Sequence, residues 1–359
     1  MIIRDLTARA VEVPLVHPVK TSIGTVASAP LVLIDLETDG GAVGRSYIFT
    51  YTPLALPSAL AFLRALAPVL RGRPAAPHDI DALLRGRLRL LGFTGIAMMA
   101  AAGVDMALWD ALAVDRGVPL VELLGGSRRP IPAYDSHSMD GVELGTSRAR
   151  EAAARGFKAI KTKIGYPTLA EDLAVVRALR RAAGEGVQVM VDYNQSLDVP
   201  EARSRIAALA AEGIAWVEEP TRQEDYAGHA AIRARSSIPI QMGENWFGPE
   251  EMIRALDAGA CDLAMPDPMK IGGVTGWLRA AAIAGGRGIP MSSHIFQEVS
   301  AHLLAVTPTA HWLERMDLAA PVLERPLVFE DGAAVIPDRP GTGISWNEEA
   351  VGAFLLPPI

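Results

Sequence analysis

Between residues 131 and 315 the chain repeats one unit. A short apolar, β-branched run ends on an ionisable side chain, and a helical stretch follows. The terminal groups are Lys163, Asp192, Glu218, Glu244, Asp267, His294 and Glu314, at gaps of 29, 26, 26, 23, 27 and 20 residues. One strand, its loops and a returning helix occupy roughly 25–30 residues in a β/α-barrel. Strands of that period would therefore carry every one of these groups to the same rim.

The spacing predicts strands at 131–136, 157–163, 187–193, 214–219, 238–244, 262–267, 289–294 and 311–315. Helices are expected at 168–184, 199–212, 225–235, 249–258, 273–287 and 297–305. Eight short strands with short connections favour a modified TIM-type barrel over an open doubly wound sheet. Before it, alternation at 2–17, 29–37 and 42–50 predicts three strands, and helical patterns follow from about 53 to 125. The expected fold class is thus α/β: residues 1–128 form an α+β capping domain, 129–320 the barrel, and 321–359 a segment returning to the cap.

Half of the 359 residues are hydrophobic, enough for a sizeable core in each part. A net charge of −7 and the lack of Lys/Arg runs argue against a nucleic-acid partner. The single cysteine, Cys261, excludes an internal disulfide and reads as a small core residue. The apolar stretch from Gly95 to Val104 is too short for a membrane span, and the opening fifteen residues alternate like a strand rather than a secretory leader. A cytoplasmic protein with no membrane partner is expected.

Asp192, Glu218 and Glu244 come from consecutive strands and should lie side by side. Three negative charges in a partly dry cleft repel unless a cation sits among them, and oxygen ligands suit Mg²⁺, with Mn²⁺ as a substitute. Any one of them alone would more simply pair with a lysine or cap a helix. Lys161 and Lys163, two apart, share one strand face. Mutual repulsion should lower their pKa values and leave Lys163, nearer the rim, able to accept a proton, with Lys161 as electrostatic partner and anion binder. Asp267 is expected to orient His294 as a second base. His17, His78, His137, His229, His302 and His311 lack an equivalent partner in register, with His137 the nearest rival. Glu314 is expected as a protonated acid beside a substrate oxygen, or in a plain pair with Arg315. Ser136 and Asn194 could bind a carboxylate or simply cap strand ends.

These residues and their surroundings resemble the mandelate racemase branch of the enolase superfamily. The resemblance rests on KTKIGYP (161–167), VDYNQSLD (191–198), WVEEP (216–220), MGENW (242–246), MPDPMKIGGVTGW (265–277), MSSHIFQE (291–298) and HWLER (311–315). It extends to TSIGTV (21–26), APLVLIDL (29–36), SYIFTYTP (46–53) and YDSHS (134–138), and so covers nearly the whole chain. It implies Mg²⁺ on Asp192, Glu218 and Glu244, and Lys163 as the (S)-specific base. His294 with Asp267 would be the (R)-specific base, and Ser136, Lys161 and Glu314 would bind the substrate carboxylate. It also implies a homo-oligomer, with an octamer as one form.

Val19, Thr21, Ile23, Val26 and Tyr51 make a largely apolar lid that suits an aryl ring. Ile23, Ile295, Met316 and Lys20 depart from the family pattern and could retune the pocket. The expected activity is racemisation of mandelate or a close 2-hydroxy-2-arylacetate through a metal-stabilised enediolate. Dehydration of an acid sugar on the same rim is the alternative, and a non-catalytic barrel is a third reading. No Walker-type loop, G-x-G-x-x-G after the first strand, or H-E-x-x-H points elsewhere.

Overall fold

The computed structural model describes residues 1–357. The chain opens with an antiparallel meander, β1 (Ile3–Thr21), β2 (Gly24–Thr38) and β3 (Val43–Phe49). In β1 the alternation drives Leu6, Ala8 and Ala10 inward while Thr7 faces solvent; β2, the middle strand, is buried throughout Leu31–Ile34. The long helix Gly95–Arg116 lies directly on this sheet. A Cβ on Gly44 would fall 1.9 Å from the Ala107 carbonyl oxygen, and one on Gly103 2.5 Å from Ile34 Cδ1, so glycine at both positions permits the approach. The apolar length of that helix is spent on the core: 83% of its most apolar window is buried.

β1 and β2 run further than the alternation predicts. After a register shift between Pro14 and Val19 they continue as a two-stranded arm, pairing Val19 with Val26 and Thr21 with Gly24. No core lies beneath the arm's first stretch, where Pro14, Val16, His17 and Pro18 are exposed, so period-two burial is lost there. The arm crosses to the second domain. Lys20 carbonyl accepts from Met139 N–H at 2.9 Å, and Ser22 hydroxyl donates to Tyr193 carbonyl at 3.0 Å.

The second domain is a closed ring. Strands β4 (Ile131–Ser136), β5 (Ala159–Lys163), β6 (Gln188–Asp192), β7 (Val217–Glu218), β8 (Ile240–Met242) and β9 (Leu263–Ala264) pair in parallel and in sequence. Single parallel bridges join Ala264 to Met291 and Met291 to Ala310. β10 (Leu313–Arg315) then pairs with β4 and closes the barrel. The seventh strand expected at 289–294 is reduced to the single bridging residue Met291, and the runs at 214–219 and 262–267 to two residues each. Pro220, Pro266, Pro268 and Pro290 have no N–H to give a ladder.

Period two explains the barrel interior. Tyr134, Ala159, Met190 and Trp216 form an apolar plug, with Trp312 packed against it. Two residues further along each strand, on the same face, stand Ser136, Lys161, Asp192, Glu218 and Glu314. The barrel is therefore apolar below and charged above.

The C-terminal segment divides its contacts. β11 (Val328–Glu330) and β12 (Ala333–Val335) form a hairpin on the first residues of β4. Residues 341–356 return to the meander, where Trp346 donates to Asp35 at 2.9 Å and Leu356 N–H to Ala10 carbonyl at 3.0 Å.

Cap and barrel meet at Asp105, which accepts from the N–H (2.9 Å) and hydroxyl (2.5 Å) of Thr275. Burial pushes its pKa up to about 7, against the pull of those two donors. A folded-state value above the unfolded one means its stabilising effect is full below about pH 4 and lost as pH rises through 7. Asp105→Asn should flatten the fall in stability between pH 4 and 7, read from urea midpoints. Asp105→Ala should cost about 1–3 kcal/mol by leaving the Thr275 N–H unpaired.

Candidate active site

Lys161 and Lys163 occupy one face at the end of β5, both buried. The Lys161 ammonium bridges Glu218 (2.8 Å) and Glu314 (2.8 Å). The Lys163 ammonium lies 2.6 Å from Asp192 Oδ2. Asn194, in the left-handed region at φ 45°, folds back so that its N–H and side-chain amide both donate to Asp192, at 2.7 and 2.9 Å. One carboxylate oxygen from each of Asp192, Glu218 and Glu244 can be chosen so that all three lie within 4.8 Å of one another.

The electrostatics favour a cation among these three. Burial pushes Glu218 up to about 8, Lys161 opposes the rise, and Asp192 and Glu244 add to it. Such a carboxylate is ill-matched to its dry surroundings and well matched to a metal ion. A donor set of three carboxylates with open positions fits a hard divalent ion.

Two sequence expectations are corrected here. Burial pulls both lysine amines down, but the facing carboxylates together outweigh it. Glu218 and Glu314 raise the Lys161 pKa well above its ordinary value, and Asp192, with Glu244 and Glu218, raises that of Lys163 against both burial and the repulsion from Lys161. Likewise Glu314 is an ionised carboxylate rather than a neutral acid: burial would raise it, but Lys161 and His294 hold it well below the usual range. Glu314 does not pair with Arg315, whose guanidinium turns to Asp135.

His294 and Asp267 meet as the spacing predicts, though neither lies within a regular strand. His294 Nδ1 is 2.8 Å from Asp267 Oδ2. Asp267 Oδ1 caps the short helix Pro268–Ile271 by accepting from Met269 and Lys270 N–H, so the carboxylate is fixed. Tyr51 hydroxyl donates to Oδ2 at 3.3 Å. His294 Nε2 then faces Glu244 at 3.2 Å. Burial lowers the affinity of the imidazole for a proton, but Glu244 and Asp267 reverse this and raise its pKa. A second such pair, His137 Nε2 to Asp135 Oδ2 at 3.1 Å, lies buried at the end of β4. This overturns the expectation that no other histidine has an aspartate partner. Cys261 is buried, as expected of a core residue.

Lys163, Asn194, Glu244 and His294 line one cavity of about 380 Å³. The arm forms its roof with Val19, Thr21, Ile23 and Val26, and Phe49, Tyr51, Ile295, Met316 and Leu318 add apolar wall. Ser136 instead lines an adjoining cavity of about 360 Å³, separated by Val19, Met316 and Leu318; its buried hydroxyl has no hydrogen-bond partner. Lys161 and Glu314 sit at the buried floor.

Sequence reasoning missed Gln195, Asn245 and Lys270, which supply a polar arc to the same cavity. Lys270 lies 4.3 Å from the Tyr51 ring centre and donates to Asn245 at 2.7 Å; Asn245 in turn donates to buried Glu219 at 3.0 Å. Gln195 and Asn245 each directly follow a residue already singled out, which was the available signal.

An apolar plug, a ring of buried acids and lysines above it, and a separate capping meander define a metal-assisted enzyme of the barrel type. The mandelate racemase / muconate lactonizing enzyme N-terminal domain model matches residues 3–125, and the enolase C-terminal domain-like model matches residues 146–350. The chain belongs to the enolase superfamily, in its mandelate racemase / muconate lactonizing enzyme group. An enolase from Bradyrhizobium, solved with magnesium and mandelic acid, is 47% identical with a TM-score of 0.96 over 99% of both chains. D-galactarolactone cycloisomerase of Agrobacterium fabrum is 33% identical over 91% of each chain. L-talarate/galactarate dehydratase of Salmonella typhimurium is 32% identical over 76% of this chain and 70% of its own.

Glu244→Ala should weaken Mg²⁺ binding by at least about 10-fold in a calorimetric titration. Mg²⁺ should also raise the melting temperature of the unmodified protein, because it relieves repulsion within the triad. An unaltered titration for the variant would remove Glu244 from the ligand set.

Proposed function

We propose that the protein racemises mandelate, or a close 2-hydroxy-2-arylacetate, by moving the α-proton between two bases. The observation that carries this reading is that Lys163 and His294 line one cavity whose remaining walls are mainly apolar. The likeness to the Bradyrhizobium protein bound to mandelic acid supports the aryl substrate.

On this reading Asp192, Glu218 and Glu244 hold Mg²⁺, which when bound supplies positive charge to oxygens of the substrate. The aryl ring packs under Val19, Ile23, Val26 and Tyr51. Lys161 meets the substrate carboxylate from the floor, with Asn194 as a further hydrogen-bond donor; Ser136, in the adjoining cavity, stays outside this contact set. The α-proton of the (S) enantiomer passes to Lys163. Were Asp192 to serve as a metal ligand, Lys163 would lose part of its countercharge and its amine would accept the proton more readily. Negative charge grows on the carboxylate oxygens, where the Lys161 ammonium attracts it more strongly than in the ground state. A substrate carboxylate beside Glu314 adds a like charge, which raises the affinity of Glu314 for a proton and allows it to donate a hydrogen bond. His294, with Nδ1 tied to Asp267, returns a proton from Nε2 on the opposite face. Reversal of these roles starts from the (R) enantiomer.

Acid-sugar dehydration is the second reading. The polar arc of Asn194, Gln195, Asn245 and Lys270 offers hydrogen bonds to several hydroxyls, and relatives include a dehydratase and a cycloisomerase. Proton NMR in D₂O with Mg²⁺ discriminates. Deuterium at Cα of mandelate with loss of optical rotation supports racemisation; a 2-keto acid from galactarate, with mandelate untouched, supports dehydration.

Lys163→Ala should abolish exchange from (S)-mandelate, a fall of about 10²–10⁴-fold, while His294 still exchanges the (R) form. His294→Asn should do the reverse. Survival of both half-reactions in either variant rejects the two-base assignment.

A further inference from the structure

Tyr47 and Glu298 are both buried, and the chemistry above uses neither. Tyr47 belongs to β3 of the capping meander, and Glu298 to the first turn of the barrel helix Gln297–Ala305. The Tyr47 hydroxyl donates to Glu298 Oε2 at 2.7 Å. The Tyr47 ring also stacks on Phe296, with centroids 5.0 Å apart and planes at 29°.

Phe296 is one of two consecutive residues in an unusual conformation. Ile295 has φ 36° and Phe296 φ 47°. A β-branched residue in the left-handed region is a steric outlier, and it persists only where its surroundings hold it there. Within the barrel, Ser300 supplies part of the hold: its hydroxyl donates to Ile295 carbonyl at 2.9 Å and its N–H to Phe296 carbonyl at 2.8 Å. From the cap, the Tyr47 ring packs on Phe296.

This turn directly follows His294. It aims the Ile295 N–H at Glu314 Oε2, 3.0 Å away, and makes Ile295 part of the cavity wall. A relaxed backbone at 295–296 would swing that N–H off Glu314 and let the imidazole leave Asp267.

We propose that Tyr47 and Glu298 are positioning residues: their hydrogen bond, with the Tyr47–Phe296 stack, is a clamp by which the cap holds the 295–296 turn and thereby orients His294. The clamp rests on the two-base reading for its kinetic consequence, but not for its structural one. Its removal should unbalance the two half-reactions, because His294 follows the turn while Lys163 is held separately on β5.

Tyr47→Phe removes one hydroxyl and retains the stack; Glu298→Gln retains an acceptor for Tyr47, and Glu298→Ala does not. Solvent deuterium exchange should fall for (R)-mandelate more than for (S)-mandelate, by at least about ten-fold, in Tyr47→Phe and Glu298→Ala. Glu298→Gln should restore the balance. Equal losses on both sides, or no loss, would overturn the clamp as a positioning device. Crystal structures of Tyr47→Phe and Glu298→Ala decide the turn without any substrate. Positive φ at 295 and 296 with the Ile295–Glu314 contact intact in both variants rejects the proposal; relaxation of the turn and loss of that contact support it. An unmodified enzyme that exchanges neither enantiomer rejects the mandelate reading alone, and the two crystal structures then still decide the clamp.

Discussion

Burial of like charges organises this molecule. Asp192, Glu218, Glu244, Asp267 and Glu314 are carried to one dry barrel mouth, where Lys161 pairs with Glu218 and Glu314, Lys163 with Asp192, and the His294 ring lies between Asp267 and Glu244. These acids outnumber the two lysines paired with them, an excess that a divalent ion among Asp192, Glu218 and Glu244 would reduce. Desolvated carboxylates left without such an ion would be strongly destabilising, so metal affinity and acid–base chemistry arise from one imbalance. The apolar plug beneath, with Tyr134 edge-on to Trp216 at 5.5 Å, keeps water from reaching these groups through the barrel.

The cap adds what the barrel lacks. The β1–β2 arm roofs the cavity, so Val19, Thr21, Ile23 and Val26 reach it from a different domain than Lys163, Glu244 and His294. Relatives of this chain include a D-galactarolactone cycloisomerase and an L-talarate/galactarate dehydratase, while a structural neighbour carries mandelic acid. Substrate choice on a common rim can therefore change through the arm and the polar arc without disturbing the acids below. Tyr47 extends the influence of the cap inward, through Phe296, to the segment that bears His294.

Much of the fold was legible because period two and the repeat spacing are local properties. Alternation marked the three cap strands, and the gaps between Lys163, Asp192, Glu218 and Glu244 marked a barrel whose ligand atoms do converge. The arm was not legible: Val16, His17 and Pro18 have no core under them, so their burial carries no period. The prolines around Asp267 and before Met291 shortened strands whose positions were right. Proton affinities were the least accessible. The Lys161–Lys163 repulsion can be read from adjacency, but the larger attraction to Asp192 requires knowing that β6 brings it within 2.6 Å.

By itself, then, the order of residues determined which chemical groups reach the rim and in what rotation around it, since strand spacing and side-chain alternation depend only on near neighbours along the chain. Tertiary structure decided the charge each group carries, which of them share a cavity, and the left-handed turn at Ile295 and Phe296. Those depend on distances between segments far apart in sequence, and electrostatic energies in a dry interior change steeply over a few ångströms.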